Sequence, residues 1–377
     1  MYIYKMKEEL NNRIFGLDIL RSIAIIIVVI AHSDFNYMEK FPFIPLPDGV
    51  DIFFVLSGYL IGTIIIKTTE QNKKFDLQIA LNFIQRRWFR TLPNYFLFLL
   101  INIILVYFGL IKGILNKYLV TNFVFFQNFY KNYDFIFWES WSLSIEEWFY
   151  FMFPLTLILL FKFTKNKMKP KNIILIAIIL FIISPLAYRI IQYQTNPSLD
   201  FDLNFRKLVI TRLDTIGYGL AGAYIHFYYI GFWKKNKNIF FILGLTLLIF
   251  SITIDSNSIY FLKTYYYSLI GVSIFLLLPK FESFKNETIP LKPFQFISKI
   301  SYSMYLIHVP LLQITTKIFV ISNKLEAILI YIFFWIVLLA VSNFVYKLYE
   351  RPLMNLRDNI RVKAILQKIS SVFKNKN

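Results

Sequence analysis

The chain has 377 residues, of which 57% are hydrophobic and 17% charged. A soluble globular domain averages about 45–50% apolar and about 25% charged residues. The apolar surplus recurs from residue 19 to residue 349, which excludes disorder, a collagen-like fibre and an ordinary soluble enzyme. The sequence holds no cysteine, so thiol catalysis, disulfides and cysteine zinc sites are excluded as well. Its net charge of +19 would suggest nucleic acid in a soluble protein, but a polytopic membrane protein explains it through basic cytoplasmic loops.

A helix needs about 20 largely apolar residues to cross the hydrocarbon core. Ten segments meet this: residues 17–35, 49–66, 92–111, 143–161, 172–191, 208–230, 239–254, 260–278, 295–320 and 327–349. The apolar patch 118–129 is too short to span and carries Asn122, Gln127 and Asn128, so it reads as a re-entrant or interfacial piece. Assigning loops alternately to the two sides puts 27 Lys and Arg residues on one side and 7 on the other. That asymmetry predicts cytoplasmic termini and an even number of spans, and it leaves no need for nucleic acid. The expected fold is an all-α integral-membrane bundle of about ten helices over residues 1–352. A basic tail over 353–377 is expected to lie against the inner leaflet.

Ionisable residues inside spans are costly and mark function. The first span carries Asp18, Arg21 and His32. Arg21 and His32 are eleven residues apart, so at about 100° per residue they share one helix face, about 16 Å apart along the axis. The second span opens GVDIFFVLSGYLIG, with Asp51 near its outer end and Ser57, Gly58 and Tyr59 at mid-membrane, where small residues admit close helix approach. Before the third span, FIQRRWFRTLP places Arg86, Arg87 and Arg90 on the cytoplasmic side. Guanidinium groups bind phosphate bidentately and stack on flat rings, so this cluster fits a phosphate-bearing ligand as well as lipid headgroups.

The fourth span opens WSLSIEEWFYFMFP. Its adjacent Glu146 and Glu147 point about 100° apart, so one at most should face a shared cavity. The sixth span holds Arg212 and Asp214, followed by Gly217, Gly219 and Gly222, and the ninth holds Ser301, Tyr302, Tyr305 and His308. His226 reads as structural, and Arg189 as a side chain that snorkels to the interface. His32, Asp51, Glu146, Arg212, Asp214 and His308 all fall in the outer halves of their spans, whereas Arg21 and the 86–90 arginines lie at the inner side. The pattern predicts a polar cavity open outward and joined to a basic cytoplasmic mouth.

These segments, in this order, resemble the acyltransferase 3 family of ten-helix integral-membrane O-acyltransferases. The R-x10-H element is Arg21 to His32, and the G-V-D-x-F-F-V-x-S-G-Y element is Gly49 to Tyr59. The R-x-x-R-x-x-P element is Arg87, Arg90 and Pro93. The W-S-L-x-x-E-x-x-F-Y element runs from Trp141 to Tyr150, with Trp148 where the family usually has Gln, and S-Y-x-x-Y-L-x-H is Ser301 to His308.

The resemblance implies acyl transfer, with acetyl as the default group, from cytoplasmic acyl-coenzyme A to a hydroxyl of an extracytoplasmic glycan or lipid-linked sugar. It implies a bacterial cytoplasmic membrane, no permanently bound cofactor and no metal. Some members carry a C-terminal hydrolase-like domain, and this chain is read as a form without one. The expected catalytic residues are His32 as general base with Asp51 or Glu146 orienting it. Tyr302, Ser301 or Arg212 would stabilise the oxyanion. Arg21, Arg86, Arg87 and Arg90 would hold the donor, and Asp18, Ser57, Asp214 and His308 would line the cavity. A transporter or flippase for an envelope precursor is the alternative, because buried Asp, Glu, His and Arg also build proton relays.

Overall fold

A computed structural model describes residues 14–33, 47–133, 135–165, 167–253, 259–284 and 292–356. The basic tail beyond residue 356 lies outside the described residues. Ten long helices each overlie one of the ten apolar segments: α1 (Phe15–Ser33), α2 (Gly49–Asn72), α3 (Leu77–Tyr107), α5 (Trp141–Phe163), α6 (Pro170–Thr195), α7 (Val209–Tyr228), α9 (Lys237–Thr253), α11 (Tyr266–Glu282), α12 (Lys292–Ile318) and α13 (Lys324–Val345). Among the described residues there are also four short α-helices: α4 (Leu119–Phe123), α8 (Ile230–Lys235), α10 (Ile259–Thr264) and α14 (Arg351–Leu356). By length and apolar composition 6 of the described helical stretches qualify as membrane-crossing: α1, α2, α3, α5, α6 and the run from Lys324 to Leu356. The other four long helices are shorter or carry more polar side chains.

Local chemistry starts these helices where they start. The Asp48 carboxylate accepts from the Val50 amide at 2.9 Å, Asp76 from Ile79 at 3.0 Å and Asn323 from Glu326 at 2.9 Å. Each satisfies an amide that the first turn leaves without a partner. Asp76 also explains a difference from the expected boundary. α3 begins at Leu77 and runs 31 residues with Pro93 inside it, so the arginine cluster stands on the helix and not in a loop before it. The segment lacked an apolar run there because its first turns are amphipathic. Around Pro93, which cannot continue the backbone ladder, Tyr302 donates to the Thr91 carbonyl at 2.8 Å and Tyr349 to that of Pro93 at 3.3 Å.

α2 sits at the centre and α7 packs along it. Their backbones meet at Gly58 and Gly219, where a methyl on either glycine would collide with a main-chain carbonyl of the other helix, Ile216 or Val55. One turn on, Gly62 faces Leu220 and Ala223. Small residues at such a crossing allow the close packing on which helix association in lipid depends. α1 and α11 flank α2, α12 joins α1 to α3 and α13, and α9 packs outside on α11. The 118–129 segment tucks inward. The Asn128 amide donates to the Trp141 and Lys207 carbonyls, and Gln127 donates to Ser140. Its polar side chains thus tie α3, α5 and α7 together.

Candidate active site

Two adjoining cavities lie between α1, α2, α3, α5 and α12, and residues 343–355 close one side of the larger. The larger, about 630 Å³, opens among Asp18, Arg21, Arg90, Lys299, Lys347, Glu350 and Arg351. The smaller, about 100 Å³, lies deeper and is walled by Ser57, Arg87, Glu146, Tyr150, Ser301, Tyr302 and Tyr305. Arg21, Leu60 and Arg90 belong to both walls, so the two spaces meet at a guanidinium pair. Lys299, Lys347 and Arg351 were not singled out in the sequence. They read as ordinary inner-side charges, and only the packing of α12 against the end of α13 brings them to one mouth.

At that mouth Ser298 donates to the Asp18 carboxylate at 2.6 Å, and Arg21 lies 3.5 Å from the same oxygen. Ser301 donates to the Ser298 carbonyl at 3.0 Å. Glu350 accepts from Asn94 at 3.0 Å and from Ser303 at 2.7 Å. In the deeper cavity the Arg87 guanidinium stacks over the Phe83 and Tyr150 rings, 5.8 Å from each centroid. Tyr150 donates to Glu146 at 2.9 Å, and so receives the Ser57 hydroxyl at 3.0 Å. Tyr150 and Tyr305 carry polar roles here that their sequence positions among other aromatics did not announce.

The neighbouring carboxylates diverge. Glu146 faces the deeper cavity, whereas Glu147 accepts from Thr91 at 2.7 Å and lines an aromatic groove on the other side of α5. Trp148 is in that groove too, donating to the Phe125 carbonyl at 2.8 Å. Its departure from the family pattern therefore does not touch the cavity. Arg86 is exposed and absent from both cavity walls, because it stands one residue, about 100°, around the helix from Arg87.

At the end of α1 away from Arg21, His32 Nδ1 lies 2.9 Å from the Val28 carbonyl and 3.0 Å from His308 Nε2. His308 Nδ1 lies 2.7 Å from the Tyr305 carbonyl. Tyr305 donates its hydroxyl to the Glu139 carbonyl at 2.8 Å and accepts from Ser142 at 2.6 Å. The deeper cavity ends at Ser142 and Tyr305, so His32 stands beyond it, with Tyr305 and His308 between.

The expected acid partner of His32 is not where the sequence reading put it. Asp51 is paired with Arg212, both fully buried, and Glu146 with Tyr150. Neither makes a hydrogen bond to the imidazole. Arg212 is held by Asp51, by the Arg206 carbonyl and by the Tyr267 ring 3.5 Å below its guanidinium, and it lines neither cavity. Asp214 also lies outside the cavity. Arg189 grips it with two nitrogens at 3.0 and 2.7 Å, and Ser268 donates to it at 2.9 Å. Arg189 thus does not snorkel but anchors α6 to α7 and α11. His226 receives or gives a hydrogen bond to Tyr59 at 2.5 Å and lies 3.3 Å from Glu282, away from both cavities.

A family model described as "Acyltransferase domain", that of acyltransferase 3, matches residues 14–347. The chain belongs to the acyltransferase 3 family. Among similar proteins are the peptidoglycan O-acetyltransferase OatA of Listeria monocytogenes serovar 1/2a, 27% identical over 82% of this chain and 51% of that protein. The O-acetyltransferase OatA of Staphylococcus aureus strain MRSA252 is 26% identical over 95% of this chain and 60% of that protein. The chain therefore spans about half to three-fifths of the length of the curated relatives it matches. No solved structure matches. In this acyltransferase 3 chain, the match covers α1, α2, α3, α5 and α12 and every motif from Arg21 to His308, and it ends short of Glu350 and Arg351 at the mouth.

Proposed function

We propose that this protein is a membrane O-acetyltransferase that moves an acetyl group from cytoplasmic acetyl-coenzyme A to a hydroxyl of an extracytoplasmic cell-envelope glycan. Ten helices would cross the bacterial cytoplasmic membrane with both termini inside, as the 27 to 7 split of basic residues favours. A peptidoglycan-type acceptor is the first to test, since one similar protein is named for it. The observation that carries the reading is the shared wall of Arg21 and Arg90. It joins a wide basic mouth to a narrow cavity whose largely apolar wall carries Ser57, Glu146 and Tyr150 and ends at Tyr305, one turn of α12 before His308.

Each group then has work suited to its chemistry. The mouth's Arg and Lys side chains bind the anionic nucleotide end of the donor, with Arg87 and Arg90 the deepest guanidinium groups. The pantetheine arm enters past Ser57, Ser301 and Tyr302. The cavity of about 100 Å³ is smaller than the roughly 300–1,000 Å³ of a typical ligand site, so it widens as the arm enters, and the Tyr305 side chain must move for the thioester to reach His32. His32 Nε2 removes the proton of the acceptor hydroxyl. The alkoxide attacks the thioester carbonyl, and the tetrahedral adduct collapses. It expels the coenzyme A thiolate, which takes the proton back from the imidazolium. Ser301 and Tyr302 line the path, but each hydroxyl donates to a main-chain carbonyl, of Ser298 and Thr91, and would have to turn from it to serve the oxyanion.

Mass spectrometry of surface glycans from cells with and without the gene tests this. One added acetyl per modified sugar, present only with the gene, is the expected result. Unchanged glycans together with movement of a lipid-linked precursor across the membrane would favour a flippase.

A further inference from the structure

The two outer histidines fix each other's protons. A carbonyl can only accept, so the Val28 oxygen 2.9 Å from His32 Nδ1 requires a hydrogen on that nitrogen. The Tyr305 oxygen 2.7 Å from His308 Nδ1 likewise requires a hydrogen there. A neutral His308 then carries a bare lone pair on Nε2, and that atom faces His32 Nδ1 at 3.0 Å. The two demands agree. His32 donates through Nδ1 to both Val28 and His308, and its own Nε2 is left unprotonated. Among the described residues His32 Nε2 takes no hydrogen bond, so it is available as a base.

We propose that His308 is the positioning residue of the reaction, holding His32 in the tautomer whose Nε2 is basic and stabilising the imidazolium that forms. The inference rests on the reading of His32 as general base given above. In a hydrolase triad a carboxylate fills this place. Here it is filled by a neutral imidazole, itself fixed by the main chain of α12. The rings sit 4.9 Å apart, centroid to centroid, and tilted by 53°, a geometry set by the hydrogen bond rather than by stacking. When His32 takes the acceptor's proton on Nε2, its Nδ1 hydrogen stays on His32 and keeps donating to His308 Nε2, so the positive charge meets a lone pair. No proton needs to pass to His308, and the bond count of the transfer step is unchanged.

The chain has three histidines, so nitrogen-15 spectra of histidine-labelled full-length protein in lipid nanodiscs are assignable with His32→Gln and His308→Gln. The expected spectrum has protonated Nδ1 and bare Nε2 on both His32 and His308. A protonated Nε2 on either residue at neutral pH overturns the proposal.

Turnover is measured with acetyl-coenzyme A and a pentamer of β-1,4-linked N-acetylglucosamine. His308→Leu is expected to lower kcat by about 10²-fold, with KM for acetyl-coenzyme A unchanged. His308→Gln, which puts an amide oxygen where Nε2 stood, should recover most of that loss. Equal loss in Leu and Gln variants, or a change confined to KM, contradicts a positioning role. Full activity in His32→Ala would remove the base itself, a failure of the parent reading that the spectra register separately from the hydrogen-bond polarity.

Discussion

Asp51 of α2 and Arg212 of α7 form an ion pair with no exposure at either side chain, across 161 residues of sequence. The pair sits two turns before Gly58 and Gly219, near the N-terminal ends of the two crossing helices. Breaking such a pair leaves one charge buried alone, at a cost of about 3–5 kcal/mol, whereas replacing both partners with apolar residues is close to neutral. Asp51→Leu and Arg212→Met should each lower the detergent melting temperature sharply, and the double variant should recover most of the loss. Differential scanning fluorimetry on the three proteins measures this. Independent, additive losses would mean that the two side chains do not act as a pair.

The glycine crossing itself gives a second expectation. Gly58→Ala and Gly219→Ala each drive a methyl into a facing carbonyl, and overpacking of this kind costs about 1–3 kcal/mol. Gly231→Ala is the control, since a Cβ there meets nothing within 4 Å. It should be neutral, or stabilising by about 0.5–1 kcal/mol through helix propensity. Melting temperatures of the purified variants separate the two outcomes.

Much of this was legible from the sequence, and what was not has a physical cause. Apolar runs locate the ten long helices because the bilayer demands length and greasiness of any span. The start of α3 was hidden since Leu77 to Arg90 is amphipathic, where hydropathy falls and only the Asp76 cap marks the boundary. The depth of Arg21, His32 and Glu146 followed from position along a helix, and the divergence of Glu146 from Glu147 followed from helical pitch. Partnership did not follow. His32 and His308 are 276 residues apart, and both Asp51 and Asp214 proved to be held by arginines on other helices. Helical periodicity gives the face a residue occupies but not which helix that face meets.

The three arginines of the third helix should behave unequally. Arg87 and Arg90 line the deeper cavity, while Arg86 points away from it. Arg87→Ala and Arg90→Ala should each raise KM for acetyl-coenzyme A by about tenfold or more, as for losing a charge-assisted contact worth about 1.5–3 kcal/mol. Arg86→Ala should leave it unchanged. Arg87→Lys should rescue poorly, because a lysine cannot stack between Phe83 and Tyr150 as a planar guanidinium does. Steady-state kinetics with the donor varied decides this, and equal effects at all three positions would point to a diffuse surface charge.

Tyr150→Phe tests the polar wall of the same cavity. The ring would remain under Arg87, but the hydroxyl that donates to Glu146 and accepts from Ser57 would be gone. A buried acceptor deprived of its donor loses about 1–3 kcal/mol. The variant should stay folded with a lowered melting temperature and should turn over about tenfold or more slowly. A wild-type rate would place the Ser57–Tyr150–Glu146 chain outside the reaction path.

The central claim is that a donor bound on the basic side delivers acetyl to the side where His32 lies. Sealed proteoliposomes holding the protein in one orientation, with acetyl-labelled acetyl-coenzyme A on the Arg21 side only and a glycan acceptor on the other, measure it directly. The expected result is labelled glycan with wild-type protein, coenzyme A released on the donor side, and neither product with His32→Ala. Labelled glycan formed at the wild-type rate by His32→Ala, or formed only when donor and acceptor share one side, would contradict the account.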